Sequence, residues 1–198
     1  MMSQRNPTRR SWSIRLVVGL VGLATRLLAA SHHPLAADTE APSIIVKGSN
    51  ITLNGKSIQL PVSRADLVAI LGEPSRAENG ATSLILTWDK LGLYAHFNQD
   101  RGGVHSISAV FVPGVGSYSP KSMFSGTVTV DGAAVKVSTS PEDINSKKSD
   151  QKFEKTRLPT MWELRYQKKL VMFLELPTGR NAPPDAALGR FTLALPID

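Results

Sequence analysis

The chain has 198 residues, enough for one sizeable domain or two small ones, with an ordinary apolar fraction of 41% and a formal charge of +7. Arg5, Arg9, Arg10, Arg15 and Arg26 all precede the first acid, Asp38, and from there on 18 basic residues stand against 16 acidic ones, a net of +2. A folded part this near neutrality offers no phosphate-neutralising face, so nucleic acid is not expected as a partner; the lack of cysteine excludes disulfides, thiol chemistry and a lipid-bearing cysteine.

Residues 1–37 read as an export signal. Arg9, Arg10 and Arg15 supply its positive start, Leu16–Leu23 with Ala24 and then Leu27–Ala30 its apolar run. Cleavage is expected after Ala37, because the polar Asp38-Thr39-Glu40 then begins the mature chain; cleavage after Ala30 is the alternative. The route is general secretion or, given Thr8-Arg9-Arg10-Ser11-Trp12, twin-arginine export. Arg26 interrupts the apolar run short of the ~20 residues of a membrane span, so a membrane is met only through the uncleaved signal. The expected address is the periplasm.

The mature chain carries an internal repeat at an offset of 77 residues. Ile51–Val68 and Val128–Asn145 align Thr52 with Thr129, Gly55 with Gly132, Ser63 with Ser140 and Asp66 with Asp143. Asn54-Gly55 and Asp131-Gly132 are strong hairpin dipeptides, flanked by alternating apolar residues: Ile51, Leu53, Ile58 and Leu60, then Val128, Val130, Val135 and Val137. Each hairpin leads into Ser-x-x-Asp, a helix N-cap pattern, and Pro141 suits the first helical position. The first helix, about Ser63–Leu71, shows Leu67, Ile70 and Leu71 on one face and ends at Gly72-Glu73-Pro74. The second keeps Ile144 and Phe153 as apolar contacts; Lys147, Lys148, Lys152 and Lys155 read as its solvated face, with a basic binding patch as the alternative.

Leu84–Phe97 reads as a hairpin around Asp89-Lys90-Leu91-Gly92, with Leu93, Ala95 and Phe97 on one face and Trp88, Tyr94 and His96 on or beside the other; burial of Trp88 in the core is an equal or better alternative to a binding role, since Trp is mostly buried. Val104–Val112 and Arg190–Leu195 supply closing strands, and Met161–Tyr166 with Leu170–Leu176 the second hairpin, turning at Gln167-Lys168-Lys169. Pro113–Pro120 is the joint and Pro183-Pro184 a late loop. The expected fold is α+β, with two tandem ββαβββ-like halves over residues 38–117 and 118–198, each an antiparallel sheet with one helix. One shared sheet or two abutting sheets both satisfy the pattern.

Gly55, Pro61, Asp66-Leu67, Leu71-Gly72-Glu73-Pro74-Ser75-Arg76 and Thr87-Trp88-Asp89-Lys90-Leu91-Gly92 together resemble an uncharacterised bacterial exported family with the pattern N-G-K, L-P, D-L, L-G-x-P-S-R, T-W-D-x-L-G, over about Ile44 to Thr127. Some of its members resemble immunity proteins of toxin systems. More loosely, a helix ending in Leu-Gly-x-Pro before a meander is similar to small envelope modules related to the β-lactamase inhibitory protein and the outer-membrane assembly lipoprotein. The inhibitory protein has tandem halves too, but its disulfides, and the lipid cysteine of the assembly factor, have no counterpart here.

No catalytic set stands out. Only His96 and His105 follow the signal, without zinc-site spacing. Pairing Phe97 with Val104 would bring them face to face; pairing Phe97 with His105 stacks apolar on apolar and sends them to opposite faces, and is the register expected. There is no G-x-S-x-G elbow, and Gly114-Val115-Gly116 is too short for a nucleotide loop. No cofactor or metal is expected. The reading is a non-enzymatic periplasmic binding protein, an immunity protein that neutralises a secreted toxin, binding through Trp88, Asp89, Lys90, Tyr94, His96, Asp100 and Arg101. An envelope-assembly or structural accessory is the alternative, followed by a hydrolase.

Overall fold

Asn54-Gly55 and Asp131-Gly132 form two hairpin tips of the same geometry. All four residues have positive φ (49° and 75°, then 48° and 86°), the signature of a type I′ turn. A Cβ at either glycine would meet nothing within 4 Å, so a side chain there costs backbone strain alone. Gly55→Val and Gly132→Val should each lower stability by about 1 kcal/mol or more in urea melts; an unchanged midpoint would contradict the turn assignment.

The computed structural model describes residues 41–114, 118–148, 151–177 and 186–196. The export signal, Val115-Gly116 of the joint and the Pro183-Pro184 loop lie outside the described residues. Two helices, α1 (Arg64–Leu71) and α2 (Pro141–Ser146), accompany thirteen strands among the described residues. A five-stranded sheet runs β3 (Lys56–Ile58), β2 (Asn50–Leu53), β1 (Ser43–Lys47), β8 (Thr127–Val130), β9 (Ala133–Val135). An eight-stranded sheet runs β10 (Glu154–Lys155), β11 (Met161–Tyr166), β12 (Leu170–Glu175), β13 (Arg190–Ala194), β7 (Gly103–Val110), β6 (Leu93–Asn98), β5 (Leu84–Trp88), β4 (Arg76–Asn79). Pairing is antiparallel except where β1 runs parallel to β8. The fold is α+β and mostly sheet.

Both hairpins therefore enter one sheet and both meanders share the other, so each alternative left open by the sequence holds in part. Each helix is followed by four strands, not three, and β1 precedes both hairpins. The unforeseen strands have physical reasons. β4 is Arg-Ala-Glu-Asn and β10 is Glu-Lys, short and polar as edge strands often are, with no apolar alternation to betray them.

One core cluster joins the inner faces of the two sheets. Ile44, Val46, Ile51, Leu53, Val128 and Val130 meet Leu86, Leu93, Ala95, Ile107, Met172, Leu174 and Phe191, with Leu67 and Leu71 of α1 and Ile144 of α2 added. Caps close the helices as the sequence predicts. Ser63 Oγ accepts from Asp66 N–H at 3.0 Å, and Ser140 with Asp143 forms a reciprocal capping box. Lys148 departs from its expected solvated place. Its side chain is fully buried and donates to Asp131 and to the Tyr166 hydroxyl, the latter at 3.0 Å.

Candidate functional site

The outer face of the eight-stranded sheet carries polar and aromatic side chains because alternation sends every second residue away from the core. Register aligns them in rows. One runs Glu163, Phe173, Thr192, Ser108, Tyr94, Thr87, Arg76; the next Arg165, Val171, Ala194, Ser106, His96, Ile85, Glu78. A third holds Met161, Glu175, Arg190 and Val110.

At its centre Arg190 donates to the Tyr94 hydroxyl and to Glu175, and its guanidinium lies 5.7 Å from the Tyr94 ring centre. Ser108 and Thr192 hydroxyls bond at 2.9 Å across the β7–β13 junction. Burial pushes the Tyr94 phenol up, against the pull of Arg190. It pushes His96 down, helped by His105 and Arg190, and His96 Nδ1 is hydrogen-bonded with Ser83 Oγ at 3.0 Å.

The β7–β8 connection forms one wall. Thr87 Oγ1 donates to the Tyr118 carbonyl at 3.2 Å and Arg76 to the Ser119 carbonyl at 2.9 Å. The Lys121 amide donates to Asp89 Oδ1 at 2.9 Å, and the Tyr118 ring stands edge-on to Tyr94 at 5.6 Å. Two adjoining depressions of about 310 and 270 Å³ result, both lined by Tyr94, Tyr118, Glu175 and Arg190.

Of the residues expected to bind, the structure brings only Tyr94 and His96 together on this face. Trp88 is core: it lies opposite Leu93, is 3% exposed, and its indole N–H donates to the Gly72 carbonyl at 2.8 Å. Asp89 is buried, gripped by Arg76 through two bonds of 3.0 Å, which hold its carboxyl below the usual carboxylate range against the cost of burial. Lys90 is exposed in the β5–β6 turn, whereas Asp100 and Arg101 are exposed in the β6–β7 turn at the other end of β6. Those two turns cannot form one loop surface, because successive hairpin turns lie at opposite ends of their shared strand.

The histidine register also needs correction. Leu93↔Ala109 and Ala95↔Ile107 follow the expected pairing, but Phe97 pairs with Val104. A bulge between them takes up the extra residue, His105, and the two rings lie 6.2 Å apart instead of on opposite faces. Among the described residues, no group of three His, Cys, Asp or Glu could hold a metal ion. The sequence reading missed Arg190, Glu175, Phe173 and Tyr118. Alternation in Arg-Phe-Thr-Leu-Ala marks Arg190 and Thr192 as outward; no local signal marks Tyr118.

These features define an α+β two-sheet protein whose outer eight-stranded face buries Tyr94, Ile85, Val110, Thr87 and Ser108 and leaves His96, Phe173, Glu175, Arg190 and Thr192 half-buried. Residues 43–145, just over half of the chain, match the family described as a domain of unknown function (DUF7738), and the chain belongs to that family. The match takes in the whole five-stranded sheet, α1, α2 up to Asn145, and β4–β7. No curated protein and no solved structure matches the chain.

Proposed function

We propose that this is an exported, non-enzymatic binding protein of the periplasm, and that its partner is a protein, most specifically a toxin that it neutralises. The observation that carries the reading is the half-buried patch of the eight-stranded sheet formed by His96, Phe173, Glu175, Arg190 and Thr192, with Tyr118 exposed beside it. Its side chains are held in place by their neighbours, so a partner would meet a preorganised surface and little ordering entropy would be lost on binding. Arg190, half-buried in this patch, and Tyr118, exposed beside it, are of residue types that anchor interfaces. The resemblance to immunity proteins points the same way. The envelope-assembly accessory remains the second reading, since the same face would serve it.

The fold is proposed to be two tandem halves of one module. β2-β3-α1-β4-β5-β6-β7 and β8-β9-α2-β10-β11-β12-β13 have the same element order, and the meanders meet as β7 against β13. β1 would be an addition outside the repeat. Residues 1–37 would be the export signal, and N-terminal sequencing of the exported protein should begin at Asp38; a start at Met1 or Met2 would refute export with cleavage.

The functional test is co-purification from a periplasmic extract. A single tight partner with hydrolase or pore-forming activity supports immunity, an outer-membrane assembly complex supports the second reading, and turnover of an envelope substrate by the pure protein overturns both. Phe173→Glu in this patch should weaken partner binding by about tenfold or more, without comparable loss of fold stability. Lys90→Glu and Arg101→Glu, at opposite ends of β6, report which rim is contacted. Unchanged affinity in all three variants would remove the patch from the interface.

A further inference from the structure

We propose that the depression between Tyr118 and Arg190 is a binding site for a neutral saccharide, distinct in chemistry from the protein partner. The charged groups of its lining are Arg190 and Glu175, which pair with each other and cancel. A phosphate, carboxylate or ammonium group entering it would lose water without a net opposite charge to replace it. A ligand with many hydroxyls and no charge has no such cost.

The unused hydrogen-bonding groups match such a ligand. A guanidinium has five N–H groups. Among the described residues Arg190 directs one to the Tyr94 hydroxyl and one to Glu175 Oε2, which leaves three. Glu175 keeps its other carboxylate oxygen as an acceptor, and the Ser106 hydroxyl on the same floor makes no hydrogen bond among the described residues. A planar donor fork beside a carboxylate suits neighbouring hydroxyls of a sugar ring, each of which donates and accepts.

Aromatic surface stands where a ring face would rest. Tyr118 is 39% exposed at the lip, although large side chains of this kind are mostly covered, and Phe173 is half-buried on the floor. Phe173 and Ser106 line the smaller depression, about 270 Å³, and the adjoining one beside Tyr118 and Arg190 is about 310 Å³, near the lower end of small-ligand sites. Its Tyr118 wall is fixed by the bonds to Thr87, Arg76 and Asp89, so the site is formed before a ligand arrives.

Isothermal titration of the purified chain with triacetylchitotriose and with maltotriose tests the site and separates an N-acetylhexosamine source from a glucose source. One of the two should bind, and trigalacturonate, an anionic control, should bind more weakly. Tyr118→Ala should weaken binding about tenfold or more with an unchanged thermal melt, since its ring is exposed; Arg190→Met should do the same, and if that variant fails to fold, Tyr118→Ala decides. Binding of neither neutral trimer, tighter binding of trigalacturonate, or full affinity in the variants would overturn the site. None of these results alters the outcome of periplasmic co-purification, which judges the protein-partner reading separately.

Discussion

Lys148→Ala should destabilise the fold by about 3–5 kcal/mol, whereas Lys147→Ala, one residue earlier, should cost under about 0.5 kcal/mol. The two lysines look alike in sequence but differ in surroundings. Lys147 is exposed. Lys148 has no exposed side-chain surface and meets Asp131, which itself takes the Tyr166 hydroxyl and, at 2.8 Å, the Gly48 amide. Burial alone would push the Asp131 carboxyl up; hydrogen bonds from Lys148, Tyr166 and Gly48 bring it below its usual value instead. Removing the ammonium leaves that carboxylate with less compensation in a place where water reaches it poorly. Lys148→Met, which keeps the stem, should recover the packing part of the loss and leave the charge part. Urea unfolding at pH 7 measures all three; equal small effects for both lysines would mean that the Lys148 ammonium is solvated.

The network explains part of what was legible and what was not. Asp131 was visible as a turn residue, and it is one, with φ of 48°. Its second task, binding a lysine 17 positions later, depends on where α2 ends and β11 begins, which no local pattern encodes. The same division runs through the chain. Hairpin tips, helix caps and the apolar alternation of β6 follow from local chemistry and were readable, and β11 and β12 were readable from the 77-residue offset of the repeat. The β7–β13 junction, the parallel pairing of β1 with β8 and the wall around Tyr118 depend on contacts distant in sequence and were not. Trp88, which the sequence allowed either as core or as a binding residue, shares the face of Leu84 and Leu86 and so lies in the core opposite Leu93.

Asp89→Asn should cost about 2–3 kcal/mol at pH 7, somewhat less than a fully buried pair because Arg76 keeps partial exposure. The amide cannot replace the carboxylate. Oδ1 and Oδ2 both accept, from Arg76 and from the Lys121 amide, and an NH₂ in either place would set donor against donor. The same geometry gives the wild-type chain a sign-defined acid response. Asp89 and Asp131 both have folded-state values below the usual carboxylate value near 3.8. The unfolded chain therefore binds more protons in that range, and stability rises with pH through it. The contribution of both groups is complete above about pH 4 and is lost as pH falls through their folded-state values. Urea midpoints should thus hold steady from pH 7 to about 5 and drop below about 4, with a shallower drop in Asp89→Asn because one titrating group is gone. A parent midpoint that does not fall on acidification would contradict this. Because Asp89 also holds the amides of Lys121 and, through its carbonyl, Ser122, the variant should speed hydrogen exchange at those two positions more than in β11 or β12. That local loosening would free the Tyr118 wall from the eight-stranded sheet, so a largely buried turn residue would still govern the shape of the proposed site.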